Sequence, residues 1–264
     1  MSNMEKYALI TGATSGIGYE LAKLFAKDHY NLVIVARNEQ ELNNCANEMK
    51  MQYGINVIPI AKDLFKRESP FEIYEEVKSR GLQIDVLVND AGQGQYGMFK
   101  DTDINRELDI VQLNIGAYIT LTKCFLKDMV DRKEGRILNV ASIAGKMPGP
   151  YQSVYHGTKA FVQSWSEALR SELQDSGVTI TSLLPGATDT DFFNKAQMQD
   201  SKILEQNLSD PADVAKDGYE ALMAGKDMIV SGMKNKVQVA MSNITPDSMS
   251  ADMMKKQQEP KQGQ

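Results

Sequence analysis

Short, nearly continuous apolar runs recur along the chain. Between them, apolar positions return every three or four residues. Residues 7–10, 32–35, 57–60, 84–88, 137–140, 178–184 and 228–230 have the length and composition of strands. The intervening segments have helical spacing. Leu21, Leu24 and Phe25 share one face of a first helix, and a second spans 39–53 up to Gly54. Ser69 and Pro70 predict a helix start, with Ser69 as the cap and an end near Gly81. A long helix is predicted from 104 to 130, carrying Leu108, Val111, Leu113, Ile115, Tyr118, Leu121, Phe125 and Met129. Another runs from about 152 to 175, and Asp210-Pro211 opens one more. Strands apolar on both sides must be covered on both faces. Seven of them, alternating with helices, predict an α/β fold: a doubly wound, largely parallel seven-stranded sheet with helices on both faces. No repeat, linker or low-complexity block divides the chain, so one domain is expected over 1–264, with a core from 5 to 232. Small helices and a loose tail after about Met254 are expected beyond it. Residues 189–208 are polar and weakly periodic, which fits equally a mobile lid over a substrate and an ordinary surface excursion.

The chemistry gathers where the expected strands end. After the first strand comes TGATSGIG, Thr11 to Gly18, and then a helix. Glycines let the backbone approach a pyrophosphate, and a helix N-terminus offers free N–H groups and the positive end of its dipole. The spacing, Gly12, Gly16 and Gly18, is G-x-x-x-G-x-G. The second strand ends in Ala36-Arg37-Asn38, where NAD-preferring folds usually place a carboxylate. An arginine there suits a 2′-phosphate, so NADP is expected in preference to NAD. Asp63 and Leu64 come just after the end of the third strand, where an adenine ring can rest. Asn89-Asp90-Ala91-Gly92 follows the fourth, and its small residues allow a ligand close.

Ser142 follows the fifth strand, and Tyr155 and Lys159 lie four apart on one helix face. A free phenol, with a pKa of about 10, is a weak acid–base catalyst near neutrality. Lowering it by roughly three units takes about 4 kcal/mol, which a nearby ammonium in a partly dry site can supply. Ser142 can hydrogen-bond the oxygen whose proton Tyr155 gives or takes. Asn114 lies within an apolar helix pattern and must find partners; its spacing favours a satisfied core amide over a water holder.

Composition narrows the setting. Lys and Arg number 29 against 35 Asp and Glu, a net charge of −6, which favours neither nucleic acid nor an anionic membrane surface. Cys45 and Cys124 fall in predicted helices and imply no disulfide framework. His29 and His156 share no metal-binding spacing with them, so both are read as surface or structural. No leader-like segment or membrane-length apolar run is present, and a cytoplasmic protein is expected.

TGATSGIG, NDAG, Asn114, Ser142, Tyr155-x-x-x-Lys159 and PGATDT occur in an order and at separations that resemble the short-chain dehydrogenase/reductase family over about residues 5–232. The resemblance implies a Rossmann-like fold and NADP(H)-dependent oxidoreduction of a carbonyl or secondary alcohol. It also implies a catalytic tetrad. Tyr155 would be the acid–base, Lys159 would lower its pKa and bond the nicotinamide ribose, Ser142 would orient the carbonyl, and Asn114 would hold a water. Gly12, Ser15, Gly16, Ile17 and Gly18 would line the pyrophosphate, Arg37 the 2′-phosphate, and Asp63 and Leu64 the adenine. Asn89, Ala91 and Gly92 would pass beside the adenine-side ribose. Pro185, Gly186, Thr188 and Thr190 would meet the nicotinamide end, together with Tyr155 and Lys159. No metal is implied. The chain departs from the family at Asp90, where a second asparagine is usual. A small, apolar carbonyl or alcohol substrate and a homodimer or homotetramer are expected. The oligomer rests on a second apolar stripe, Thr158, Phe161, Trp165 and Ala168. Two alternatives stand beside this reading: a non-catalytic nucleotide-sensing protein, or an isomerase, epimerase or dehydratase on the same fold.

Overall fold

The computed structural model describes residues 5–261. Seven strands form one sheet in the order β3-β2-β1-β4-β5-β6-β7, and every neighbouring pair is parallel. They are β1 (Tyr7–Thr11), β2 (Asn31–Ala36), β3 (Val57–Ala61), β4 (Ile84–Asn89), β5 (Gly135–Val140), β6 (Val178–Leu184) and β7 (Met228–Val230). All lie within two residues of the bounds expected from the apolar runs. The helices are α1 (Gly16–Lys27), α2 (Glu39–Tyr53), α3 (Ser69–Ser79), α4 (Ile104–Val111), α5 (Ala117–Asp131), α6 (Ser153–Glu172), α7 (Phe192–Lys195), α8 (Pro211–Met223), α9 (Met233–Ser242) and α10 (Asp247–Gln258).

Successive strand residues face opposite layers. Ile10, Ile34 and Val88 pack with Leu21 and Phe25 of α1, Leu42 and Met49 of α2, and Leu222 of α8. Their neighbours Leu9, Val33 and Leu87 pack on the other face with Ile73 of α3 and Leu121 and Phe125 of α5. The sheet order turns back between β1 and β4, so a crevice opens at their carboxyl ends. No helix among the described residues is long and apolar enough to cross a membrane.

Local signals explain most boundaries. Asn38 accepts from the N–H groups of Gln40 and Glu41 and starts α2, and Gly54 ends it in the left-handed conformation. Asp210 accepts from the Ala212 N–H ahead of Pro211. Four expectations are corrected. Ser69 is the first residue of α3, and the cap position belongs to Glu68. The predicted 104–130 helix is interrupted by a π turn, Gln112–Gly116, between α4 and α5. Residues 189–208 carry α7 and a 3₁₀ turn (Lys202–Glu205), and Phe193, Ala196 and Met198 form a buried cluster there. The chain does not loosen after Met254: α10 continues to Gln258, which is buried. Residues 262–264 of the expected tail lie outside the described residues.

Candidate active site

At the end of β1, the Thr11 hydroxyl oxygen accepts from the N–H groups of Asp90 (3.0 Å) and Ala91 (3.1 Å). It also donates to the Val88 carbonyl at 3.3 Å. This links the glycine loop to the turn after β4 as one floor. Gly16 takes a left-handed φ of 58°, and a Cβ there would lie 2.9 Å from Thr190 Cγ2. Gly18 is needed for a different reason: a Cβ would lie 2.5 Å from Asp90 Oδ2 and 2.6 Å from the Gly12 carbonyl oxygen. The Gly18 N–H is hydrogen-bonded to the Asp90 carboxylate. Gly12, Ser15, Gly16 and Ile17 line a cavity of about 820 Å³, whereas Gly18 lies behind its wall.

The cavity runs along the sheet's carboxyl edge. At one end stand Arg37, Asp63 and Leu64. The Arg37 guanidinium lies 5.0 Å from the Phe65 ring, and Arg106, unmarked in the sequence, lies 5.2 Å from the same ring. Ala91 and Gly92 line the middle, but Asn89 does not. Its side chain is buried, donating to Thr122 Oγ1 (3.0 Å) and Asn139 Oδ1 (2.9 Å), so it braces β4 against α5 and β5.

At the other end, β5 delivers Ser142 and α6 delivers Tyr155 and Lys159; all three line the cavity with Pro185, Gly186, Thr188 and Thr190. Ser142 Oγ accepts from the Ala144 N–H at 3.1 Å and donates to the Pro185 carbonyl at 3.4 Å, and its nearness favours the Tyr155 phenolate. Lys159, 3% exposed, donates to the Val140 carbonyl at 2.8 Å. Its Nζ stands 5.9 Å from the Tyr155 ring centroid. Burial lowers the Lys159 ammonium to about 8, partly opposed by the Asp90 carboxylate. The same burial pushes the Tyr155 phenol up to about 12, opposed by Ser142, with Asp90 adding to the rise. Desolvation thus dominates the phenol, and it is Ser142, not Lys159, that opposes the rise.

Asn114 sits in the π turn and is removed from the cavity surface. It donates to the Gln93 carbonyl and to Thr158 Oγ1, both at 2.9 Å, and accepts from the Gln93 N–H at 3.1 Å. A Cβ on Gly92 would lie 3.3 Å from both Asn114 Oδ1 and Lys159 Nζ, so a side chain there would crowd both. The satisfied-amide reading of the helix pattern is what the fold shows.

Several polar residues of the reacting end had no linear signature. Gln152, His156 and Gln258 line the cavity and are buried. Gln258 arrives from α10, a hundred residues from its partner His156, which no local pattern encodes. Met147, Phe192, Phe193, Met198 and Met254 make the wall there largely apolar, and the Phe192 ring lies 5.0 Å from that of Tyr155.

The dimensions and donor set fit a dinucleotide. An apolar–aromatic end carries a guanidinium, the α1 N-terminus and a close-packed glycine cradle lie in the middle, and a phenol, hydroxyl and ammonium meet at the far end. Among the described residues no group of three or more His, Cys, Asp or Glu side chains is placed to hold a metal ion.

Comparison with known proteins agrees with this geometry. A family model described as short chain dehydrogenase matches residues 6–201. The very-long-chain 3-oxoacyl-CoA reductase of Neurospora crassa is 37% identical over 189 residues, covering 68% of this chain and 57% of that protein. Dehydrogenase/reductase SDR family member 7B of Danio rerio is 28% identical over 254 residues, covering 92% and 82%. Against several curated relatives, the matched region spans only 53% to 61% of their length. Among solved structures, a short-chain dehydrogenase from Sphingobium yanoikuyae in complex with NADPH superposes with a TM-score of 0.81 at 25% identity, covering 90% of this chain and 94% of that one.

Proposed function

The chain belongs to the short-chain dehydrogenase family, and we propose that it is an NADP(H)-dependent oxidoreductase that interconverts a carbonyl and a secondary alcohol. One observation carries this reading: Ser142, Tyr155 and Lys159 converge at one end of the cavity whose middle is the glycine loop. Gly12, Ser15, Gly16 and Ile17 with residues 90–92 hold the pyrophosphate and ribose, and Asp63, Leu64 and Phe65 border the adenine. Arg37 bonds a 2′-phosphate. Bound nicotinamide supplies or receives the hydride. Tyr155 gives its phenolic proton to the substrate oxygen in reduction and takes it back in oxidation. Ser142 hydrogen-bonds that same oxygen. Lys159, held against the Val140 carbonyl, carries the positive charge that offsets the phenolate. Asn114 acts through structure, tying residue 93 to α6. An NADPH-bound neighbour and relatives named as reductases support this assignment.

The apolar wall supports a substrate with a hydrocarbon body. The exposed Phe161 ring stacked on Trp165 (6.3 Å) and the exposed Ile104 and Leu108 support pairing of two copies through α4, α5 and α6. The test is a parallel titration with NADPH and NADH followed by Trp165 fluorescence, then a screen of ketones for NADPH consumption. Preferential NADPH binding and turnover lost in Tyr155→Phe, with cofactor binding retained, are expected. Binding of neither cofactor, or full turnover by Tyr155→Phe, overturns the assignment.

A further inference from the structure

The apolar reacting end contains two polar atoms that no protein group satisfies. Gln152 Nε2 and Gln258 Oε1 are both buried without a hydrogen-bond partner, and both residues line the cavity. The side chains are deeply enclosed, Gln152 being 5% exposed and Gln258 1%. An unpaired buried amide is expensive to keep, so each points to something that enters the cavity.

The orientation of Gln258 follows from its neighbours. His156 Nδ1 lies 2.8 Å from the Met147 carbonyl, which can only accept, so that nitrogen carries the proton. The neutral ring then presents a lone pair at Nε2, 3.1 Å from Gln258 Nε2, which must donate. Gln258 Oε1 is left as a free acceptor. The rest of the residue cannot drift: its carbonyl accepts from the Tyr96 and Ser201 hydroxyls. The adjoining Glu259 pairs with Lys202 at 2.6 Å. Gln152 is placed by the start of α6. A Cβ on Gly94 would lie 3.1 Å from Gln152 Nε2 and 3.4 Å from Tyr155 Cδ2, so the amide stands beside the catalytic ring.

We propose that Gln152 and Gln258 form a polar recognition subsite next to Tyr155, for a substrate that carries a hydroxyl or secondary amide close to its reacting carbonyl. Gln152 donates to this second group and Gln258 accepts from it. The subsite deepens the oxidoreductase reading and rests on it for the identity of the reacting group. Its consequence is discrimination: a ketone with no second polar atom buries both amides unmatched.

The test compares 2-octanone, 1-hydroxy-2-octanone and N-butyl-3-oxobutanamide, whose secondary amide stands one methylene from the ketone. The expected result is a kcat/KM at least about 10-fold higher for one of the two polar probes than for 2-octanone. In Gln152→Leu and in Gln258→Met, that ratio should fall towards one. Gln258→Met also removes the bond to His156, so Gln152→Leu provides the variant whose lost atom has no protein partner. Binding is read separately in Tyr155→Phe, as the rise in Tm caused by each probe, where the same ranking should appear. No ranking in Tm, or an unchanged ratio in both glutamine variants, overturns the subsite while NADPH turnover leaves the enzyme assignment standing. Absence of turnover with the Tm ranking intact overturns the assignment and leaves the subsite.

Discussion

Asp90→Asn should change how stability depends on pH, by an amount that follows from where the carboxylate sits. Asp90 lies beneath the glycine loop, and burial raises its carboxyl from an ordinary 3.8 to about 7, against the opposing pull of Lys159 and the Gly18 N–H. A raised carboxyl favours the folded chain while it holds its proton, and that advantage is lost as the pH rises through the folded value. At pH 5 the unfolded chain has already released the proton and the folded chain has not. Two pH units at about 1.36 kcal/mol each give about 2–3 kcal/mol of stability lost between pH 5 and pH 7. Lys159, titrating at about 8, keeps its proton through that window. His156, lowered by burial, tilts the curve the other way in both proteins. The difference between the two unfolding curves therefore removes His156 and reports Asp90 together with its coupling to Lys159, whose ammonium pKa falls further once the carboxylate is gone. Asparagine preserves the shape and can still accept from Gly18. The measurement is urea unfolding without cofactor at pH 5, 6, 7 and 8. The variant should gain about 2–3 kcal/mol relative to the parent chain between the first and third points. A difference constant to within about 0.5 kcal/mol would show that Asp90 ionises like an exposed carboxylate and refute the reasoning.

Other perturbations probe separate parts of the fold. Gly18→Ala should lower stability by about 1–3 kcal/mol in thermal unfolding, because its Cβ has no room beside Asp90 and Gly12. Arg37→Ala should weaken NADPH by roughly 10- to 100-fold in the Trp165 titration while leaving NADH within about twofold, since only one of them offers a phosphate to the lost charge. Phe25→Ala removes a fully buried ring that meets Tyr30 and Tyr219 edge-on, and should lose about 3–5 kcal/mol in urea unfolding. Light scattering at micromolar concentration should give a mass of two or four chains; a monomer mass would assign the Phe161–Trp165 face another role.

The sheet was legible because its strands are apolar on both faces, and each one carries its own signal. The glycine loop and Tyr155-x-x-x-Lys159 were legible because their residues are local. What the sequence hid is of three kinds. Asn89 and Gly18 look like ligand contacts in a linear motif, but packing turns one into a brace and the other into a clearance. The Tyr155 phenol depends on how much water its surroundings exclude, which spacing does not report. Gln258 meets His156 only because α10 folds back over the cavity, a contact set by tertiary structure alone.

The π turn around Asn114 has a consequence for which changes of length the chain tolerates. An α-helix with the same number of residues would rotate everything on one side by about 100° relative to the other. The two sides are anchored to different things: Ile110 is buried ahead of the turn, while Leu121 and Phe125 are fixed in the core behind it. Deleting one residue from 112 to 116 would turn the stretch into plain α-helix with both anchors still in phase, whereas losing one residue from α4 or α5 would unseat one of them. A substitution in the same stretch leaves the phase intact. A one-residue deletion should therefore be tolerated better inside the turn than in α4 or α5, and Asn114 is the position of the turn whose identity is fixed by its side-chain bonds.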